Sequence, residues 1–206
     1  KPFSDQFSDP YDGEIAFTDT QVKRLVDWIE STGLRDNTLI IIAGDHGEAF
    51  GEHEETEHGL FVYDTTMRVP LAFSFPPKVP AGKVVDEAVA LIDVFPTVIE
   101  LLGWEERGDL EGQSLVAAVD SDLPIERPVF ADNEYPRLGY GWAPLRSLTT
   151  NRGKYIHAPK PELYDRASDP NESANVVAEH PDIAEQMRRK LTAMAEQMTP
   201  RTSPES

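Results

Sequence analysis

The 206-residue sequence contains no cysteine. That removes disulfides, thiolate metal sites and a cysteine nucleophile from these residues. It leaves the compartment open, since periplasmic, secreted and cytoplasmic proteins can all lack cysteine. Basic residues are scarce: 19 Lys and Arg stand against 37 Asp and Glu, a formal net charge of −18. Nucleic acid is therefore not an expected ligand, because phosphate backbones are held by clusters of Lys and Arg. The acid excess is spread along the chain and serves solubility. No apolar run approaches the roughly 20 residues that span a bilayer. The opening Lys1-Pro2-Phe3-Ser4-Asp5 is polar and begins without Met, so the expectation is a mature or excised piece with no secretory leader. Internal repeats, heptads and phosphate-cradling glycine loops are missing as well.

What is present centres on residues 38–70. Leu39-Ile40-Ile41-Ile42-Ala43 is a continuous apolar run between Asp36-Asn37 and Gly44, which predicts a strand buried on both faces. It delivers Asp45 and His46 into a loop holding Gly47, Gly51 and Gly59. In open α/β sheets, ligands sit beyond the carboxyl ends of the strands. An adjacent Asp and His there offer a carboxylate oxygen and an imidazole nitrogen to one metal ion. His53 and His58 follow among Glu48, Glu52, Glu54, Glu55 and Glu57. A capping Asp45, a turn histidine and a solvated glutamate face would explain the same residues without chemistry. The position directly after a buried-strand pattern favours the metal reading.

Around this stretch the pattern is α/β. Residues 1–11 read as an extended leading segment, and a helix is predicted from Asp12, with Ile15, Val22, Leu25, Val26 and Ile29 on one face and Gly33 closing it. Leu71, Phe73 and Phe75 alternate as in a half-buried strand after Pro70. Residues 84–90 are a short strand or irregular, and 93–103 a short helix with Asp93 as N-cap, a role sufficient to make a catalytic one unnecessary. Residues 104–124 form a connection. From Pro128, short strand-like runs at 129–131, 145–150, 154–157 and 162–165 predict a small antiparallel sheet, with a hairpin turn at Asn151-Arg152-Gly153. A terminal helix over 181–198 carries Ile183, Met187, Leu191 and Met194 on one stripe.

Several of these stretches together resemble the C-terminal half of a sulfatase, in the alkaline-phosphatase superfamily. They are Tyr11-Asp12-Gly13-Glu14-Ile15, the run from Leu39 to Gly47, His58-Gly59, Arg68-Val69-Pro70-Leu71, and Asp93 to Gly103. Lys154-Tyr155-Ile156, Leu163-Tyr164-Asp165 and Asp169-Pro170-Asn171-Glu172 extend the match to the tail. The resemblance implies an incomplete alkaline-phosphatase-like sandwich over residues 1–127. It also implies a small antiparallel-sheet subdomain with a terminal helix over 128–206. Apolar strand edges would then be left for the rest of the protein or an oligomer partner to cover.

The resemblance also implies roles. Asp45 and His46 match the metal-binding pair, where many sulfatases carry Asn at the second position, and phosphonate monoester hydrolases and some sulfatases carry His. The ion is calcium in most sulfatases, with manganese or zinc as alternatives. His58 matches the position of a Lys that contacts the sulfate and the leaving oxygen; a His there keeps a donor and makes its charge depend on pH. His53 matches no motif position, and Arg68 is expected in a structural ion pair. The family's Cys/Ser-x-Pro/Ala-x-Arg motif, source of a formylglycine nucleophile, is not found in these residues. The piece alone is therefore expected to be inactive. The substrate class implied is a small-molecule or glycan sulfate ester, with phosphonate or phosphodiester hydrolysis, or a non-catalytic binding domain, as the rivals. Trp104, Tyr135, Tyr140 and Trp142 either line a substrate entrance or pack two subdomains together.

Overall fold

The computed structural model describes residues 7–105, 108, 110–121 and 125–198. The chain divides into two compact units, one of Lys1–Ile41 with Ala72–Lys83, the other of Ile42–Leu71 with Val84–Ser206.

The first unit is dominated by α1, Pro10–Ser31. Asp9 caps it, its side chain accepting from the Tyr11 N–H at 2.9 Å, so the helix starts two residues before the predicted Asp12 with Pro10 in the first turn. Gly33 follows in the left-handed region at φ 71°. Of the predicted apolar face only Ile29 is buried; Ile15 and Leu25 are more than half exposed. Strands β1, Ile40–Ala43, and β2, Leu71–Ser74, pair in a two-stranded sheet. The expectation that β1 is buried on both faces is corrected: Ile40 and Ile41 are half-buried, and Ile42 and Ala43 are exposed, because β1 has a single neighbouring strand here.

In the second unit, a one-turn helix α2, Asp64–Met67, interrupts the loop after β1. Residues 84–90 contain no helix or strand. Helix α3, Val94–Leu102, ends at Gly103 in the left-handed region, φ 68°. Asp93 is not a side-chain cap of α3. Its fully buried carboxylate accepts from the Ala90 N–H behind it and the Gln113 N–H, both at 2.8 Å, and from Arg127. Beyond the local bond to Ala90 it ties in Gln113 and Arg127, 20 and 34 residues away, which the local pattern could not reveal. The connection at 104–124 also contains a short helix α4, Val116–Ser121.

The predicted antiparallel sheet is present, with strands β3 Val129–Asn133, β4 Leu145–Thr149, β5 Gly153–His157 and β6 Glu162–Asp165 in sequential order. A six-residue helix α5, Tyr135–Tyr140, lies between β3 and β4. The registers align Phe130, Leu148, Tyr155 and Leu163 in one cross-strand row. The terminal helix α6, Pro181–Met198, buries Ala184, Met187 and Leu191 against that row, and Met194 joins them. Ile183, expected on the stripe, is 48% exposed; Ala184 takes its place, since the 184, 187, 191, 194 spacing follows the helical period more closely.

The other face of the sheet receives residues 59–64. Val62 packs on Ile156 and Tyr164. Asn133 donates to the carbonyls of Gly59 and Leu60 at 2.9 and 3.2 Å. Lys154, almost fully buried, reaches Asp64 at 2.7 Å and Glu172 at 2.9 Å. Burial pushes the Glu172 carboxyl upward, with Lys154 opposing. The sheet is thus a bed on which the histidine-bearing loop is fixed.

Candidate functional site

The loop after β1 is shaped by its glycines and by one buried glutamate. Gly47 donates to the Thr66 carbonyl at 2.7 Å, and a Cβ on Gly47 would lie 2.3 Å from the Thr65 carbonyl oxygen. Only glycine fits there. The Ala49 N–H donates to Glu57 at 3.0 Å and the Gly51 N–H to Glu55 at 2.8 Å, so the two arms of the loop run side by side. Buried Glu55 accepts from the Leu60 and Phe61 N–H groups at 2.8 and 3.3 Å, closing the turn that carries His58. Gly51 and Gly59 adopt φ of 115° and 100°, conformations that other residues rarely reach.

This folding brings Asp45, His46 and His58 together. The imidazoles of His46 and His58 stack with centroids 3.8 Å apart and an interplanar angle of 24°. His58 Nδ1 lies 3.2 Å from Glu48 Oε2, a contact in which the ring N–H donates and the opposite nitrogen, Nε2, is left to face solvent or a ligand. His46 Nδ1 lies 2.8 Å from the Gly47 carbonyl, so it carries the proton and leaves the His46 Nε2 lone pair available. That nitrogen is 3.9 Å from Asp45 Oδ2. The Asp45 carboxyl is held below its usual range by the N–H groups of its own residue and of His46. An ionised oxygen and an unprotonated nitrogen at this separation suit one cation bound at roughly 2.0–2.4 Å from each. The donor set fits a metal as half a site: no group of three or more metal-ligating side chains converges among the described residues.

His53 lies apart from this cluster. Its ring stacks on Tyr63 at 3.6 Å and 10°, with the residue itself at φ 54°. It lines a cavity of about 590 Å³ with Asp64, Arg68 and Glu172. Arg68, expected in an ion pair, forms none among the described residues, because Asp64 beside it is held by Lys154 and Arg166. Tyr63 and Tyr164 both donate to Glu162, at 2.9 and 2.7 Å, and burial drives both phenols well above the usual range. Trp104, Tyr135, Tyr140 and Trp142 are each more than half exposed. Glu48 is the residue that sequence reasoning missed: it sits ten positions from His58, a separation no periodicity marks.

The sequence profile of the sulfatase family matches residues 2–104. The chain belongs to the sulfatase family. A curated relative, arylsulfatase K of Homo sapiens, is 28% identical over 198 residues, covering 88% of this chain and 35% of its own length. The phosphonate monoester hydrolase of Agrobacterium radiobacter is 29% identical with a TM-score of 0.77, covering 91% of this chain and 41% of that one. A protein solved with its substrate D-glucosamine-2-N,6-O-disulfate shares the fold at a TM-score of 0.74 and 24% identity, covering 92% of this chain and 40% of that one. The sulfatase chain thus spans about a third of the length of the curated relatives it matches, and its fold is part of the alkaline-phosphatase-like architecture.

Proposed function

We propose that this chain forms the C-terminal part of a metal-dependent sulfatase that hydrolyses sulfate esters, and that the piece alone does not turn over. The observation that carries this reading is the stacked His46–His58 pair beside Asp45, with Glu48 fixing the His58 ring. Asp45 and His46 would hold a divalent cation, calcium first, completed by ligands outside these residues. When bound, that cation supplies positive charge that neutralises the oxygens of the transferred group. A formylglycine nucleophile would likewise come from outside the chain.

His58 acts on the leaving-group side. Glu48 holds its Nδ1–H and thereby aims Nε2, and a protonated imidazole in that pose gives its Nε2 proton to the departing alkoxide oxygen. The likeness to the Agrobacterium enzyme supports a second reading, hydrolysis of phosphonate monoesters or phosphodiesters, since that neighbour is among the more identical solved structures. The test is a substrate comparison on the full-length protein with matched sulfate, phosphonate and phosphodiester esters. The sulfatase reading expects the sulfate ester to give the highest kcat/KM. A preference for the phosphonate would replace it with the second reading.

A further inference from the structure

Gly59 is the weak joint next to His58. It follows that residue directly, and at φ 100° it occupies backbone space that only glycine enters freely. A joint of that kind lets the imidazole wander unless its flanks are held. Both flanks are held. On the near side, the Glu57 carbonyl accepts from the N–H of fully buried Ala49 at 3.0 Å. On the far side, Leu60 is gripped at both ends of its backbone. Its N–H donates to buried Glu55 at 2.8 Å, and its carbonyl accepts from the Asn133 side chain at 3.2 Å. The same Asn133 amide donates to the Gly59 carbonyl at 2.9 Å.

The two grips differ in where they come from. Glu55 lies five residues from Leu60 and moves with the loop. Asn133 stands at the end of β3, on the sheet and 74 residues from Gly59. A third bond fixes which way its amide faces, because the Tyr135 N–H donates to Asn133 Oδ1 at 3.0 Å. A backbone N–H can bond only the oxygen of the amide, so Nδ2 is turned to the two carbonyls. One half-buried side chain thereby joins the backbone after His58 to the closed core.

We propose that Asn133 is a positioning residue for the reaction, locking the Gly59–Leu60 peptide to the sheet so that His58 Nε2 stays in reach of the leaving oxygen. As the nucleophile bonds sulfur, the S–O bond to the alcohol breaks and its electron pair stays on the alkoxide oxygen. That oxygen takes the Nε2 proton and leaves a neutral imidazole. The transfer needs the two atoms within hydrogen-bond reach, and a misplacement of about 1 Å costs on the order of 10²-fold. Glu48 sets the rotation of the ring, and Asn133 sets the place of the backbone that carries it. The inference rests on the reading of His58 as the proton donor.

The experiment measures kcat and KM of the full-length protein for an alkyl sulfate and for 4-nitrophenyl sulfate, or for the matching phosphonates if those are preferred. An alkoxide needs a proton to leave, whereas 4-nitrophenolate departs without one. Asn133→Ala should lower kcat for the alkyl ester on the order of 10–100-fold, leave KM near wild type and change the aryl ester far less. Asn133→Asp keeps the acceptor for Tyr135 but turns an oxygen towards the two carbonyls, and should lose at least as much. In a His58→Ala background Asn133→Ala should have no further effect, because both changes remove the same proton transfer. Additive losses in the double variant, or equal losses on both esters, would overturn the proposal. If His58→Ala itself spares the alkyl ester, the reading of His58 fails and the positioning role fails with it. Hydrogen exchange reads the grip without turnover: the Leu60 amide should exchange on the order of tenfold faster in Asn133→Ala. Unchanged exchange there would show that Asn133 holds nothing in place.

Discussion

In the β3–β6 sheet, Leu148, Tyr155 and Leu163 are almost wholly buried beneath α6, while along α1 Ile15, Leu25 and Trp28 are more than half exposed. Both stretches carry apolar residues at the period their structure requires. The difference is that the sheet finds its covering helix within this chain and α1 does not. Segments that close their own core can act as a bed, and the loop of His58 is laid on that bed through Val62, Asp64 and Asn133. The apolar face of α1 stays open among the described residues, and the chain spans about a third of the length of the curated relatives it matches.

The contrast can be broken most sharply at Lys154. Lys154→Met leaves the buried Glu172 without its cation and Asp64 with Arg166 alone, and should cost about 3–5 kcal/mol in urea unfolding. Leu148→Ala, in the closed core, should cost about 2–5 kcal/mol. Leu25→Ala should stay within about 0.5 kcal/mol in the 206-residue chain. A cost for Leu25→Ala in the full-length protein near that of Leu148→Ala would show that the rest of the protein covers α1. Next comes Gly47→Ala, whose Cβ meets the Thr65 carbonyl; a loss of about 1–3 kcal/mol is expected, with reduced turnover because His46 and Glu48 flank it.

How much of this was legible depends on how far apart the partners lie. The four short strands and the Asn151-Arg152-Gly153 turn could be read locally, because β-branched and aromatic runs between turn residues report their own structure. So could the pairing of Asp45 with His46, since neighbours at a strand end share one location. The Glu48–His58 contact, the bonds of Asp93 to Gln113 and Arg127 and the tether from Asn133 span ten to more than seventy residues, and nothing in the local pattern marks them. Helix α5 was hidden for another reason: Pro136, Gly139 and Gly141 are turn signals, yet Pro suits a first helical turn and Gly141 suits the cap. The exposure of Ile42 was unreadable, because an apolar run states what a strand needs and not whether this chain supplies it.

The smallest expected effect concerns α6 alone. Hydrogen bonds from Arg188 and Arg189 pull the Glu185 carboxyl down to about 2. A carboxyl lowered on folding stabilises above its unfolded value and loses that contribution as pH falls through the folded one. Glu185→Gln should therefore narrow the stability difference between pH 5 and pH 2 relative to wild type, by a small amount because the pair is exposed to solvent.

The most direct test of the central claim is sulfate-ester hydrolysis by the full-length protein, wild type against Asp45→Ala and His58→Ala, with divalent cation present. The account predicts that Asp45→Ala abolishes turnover and that His58→Ala lowers kcat on the order of 10²–10⁴-fold. Hydrolysis by both variants at the wild-type rate would contradict it.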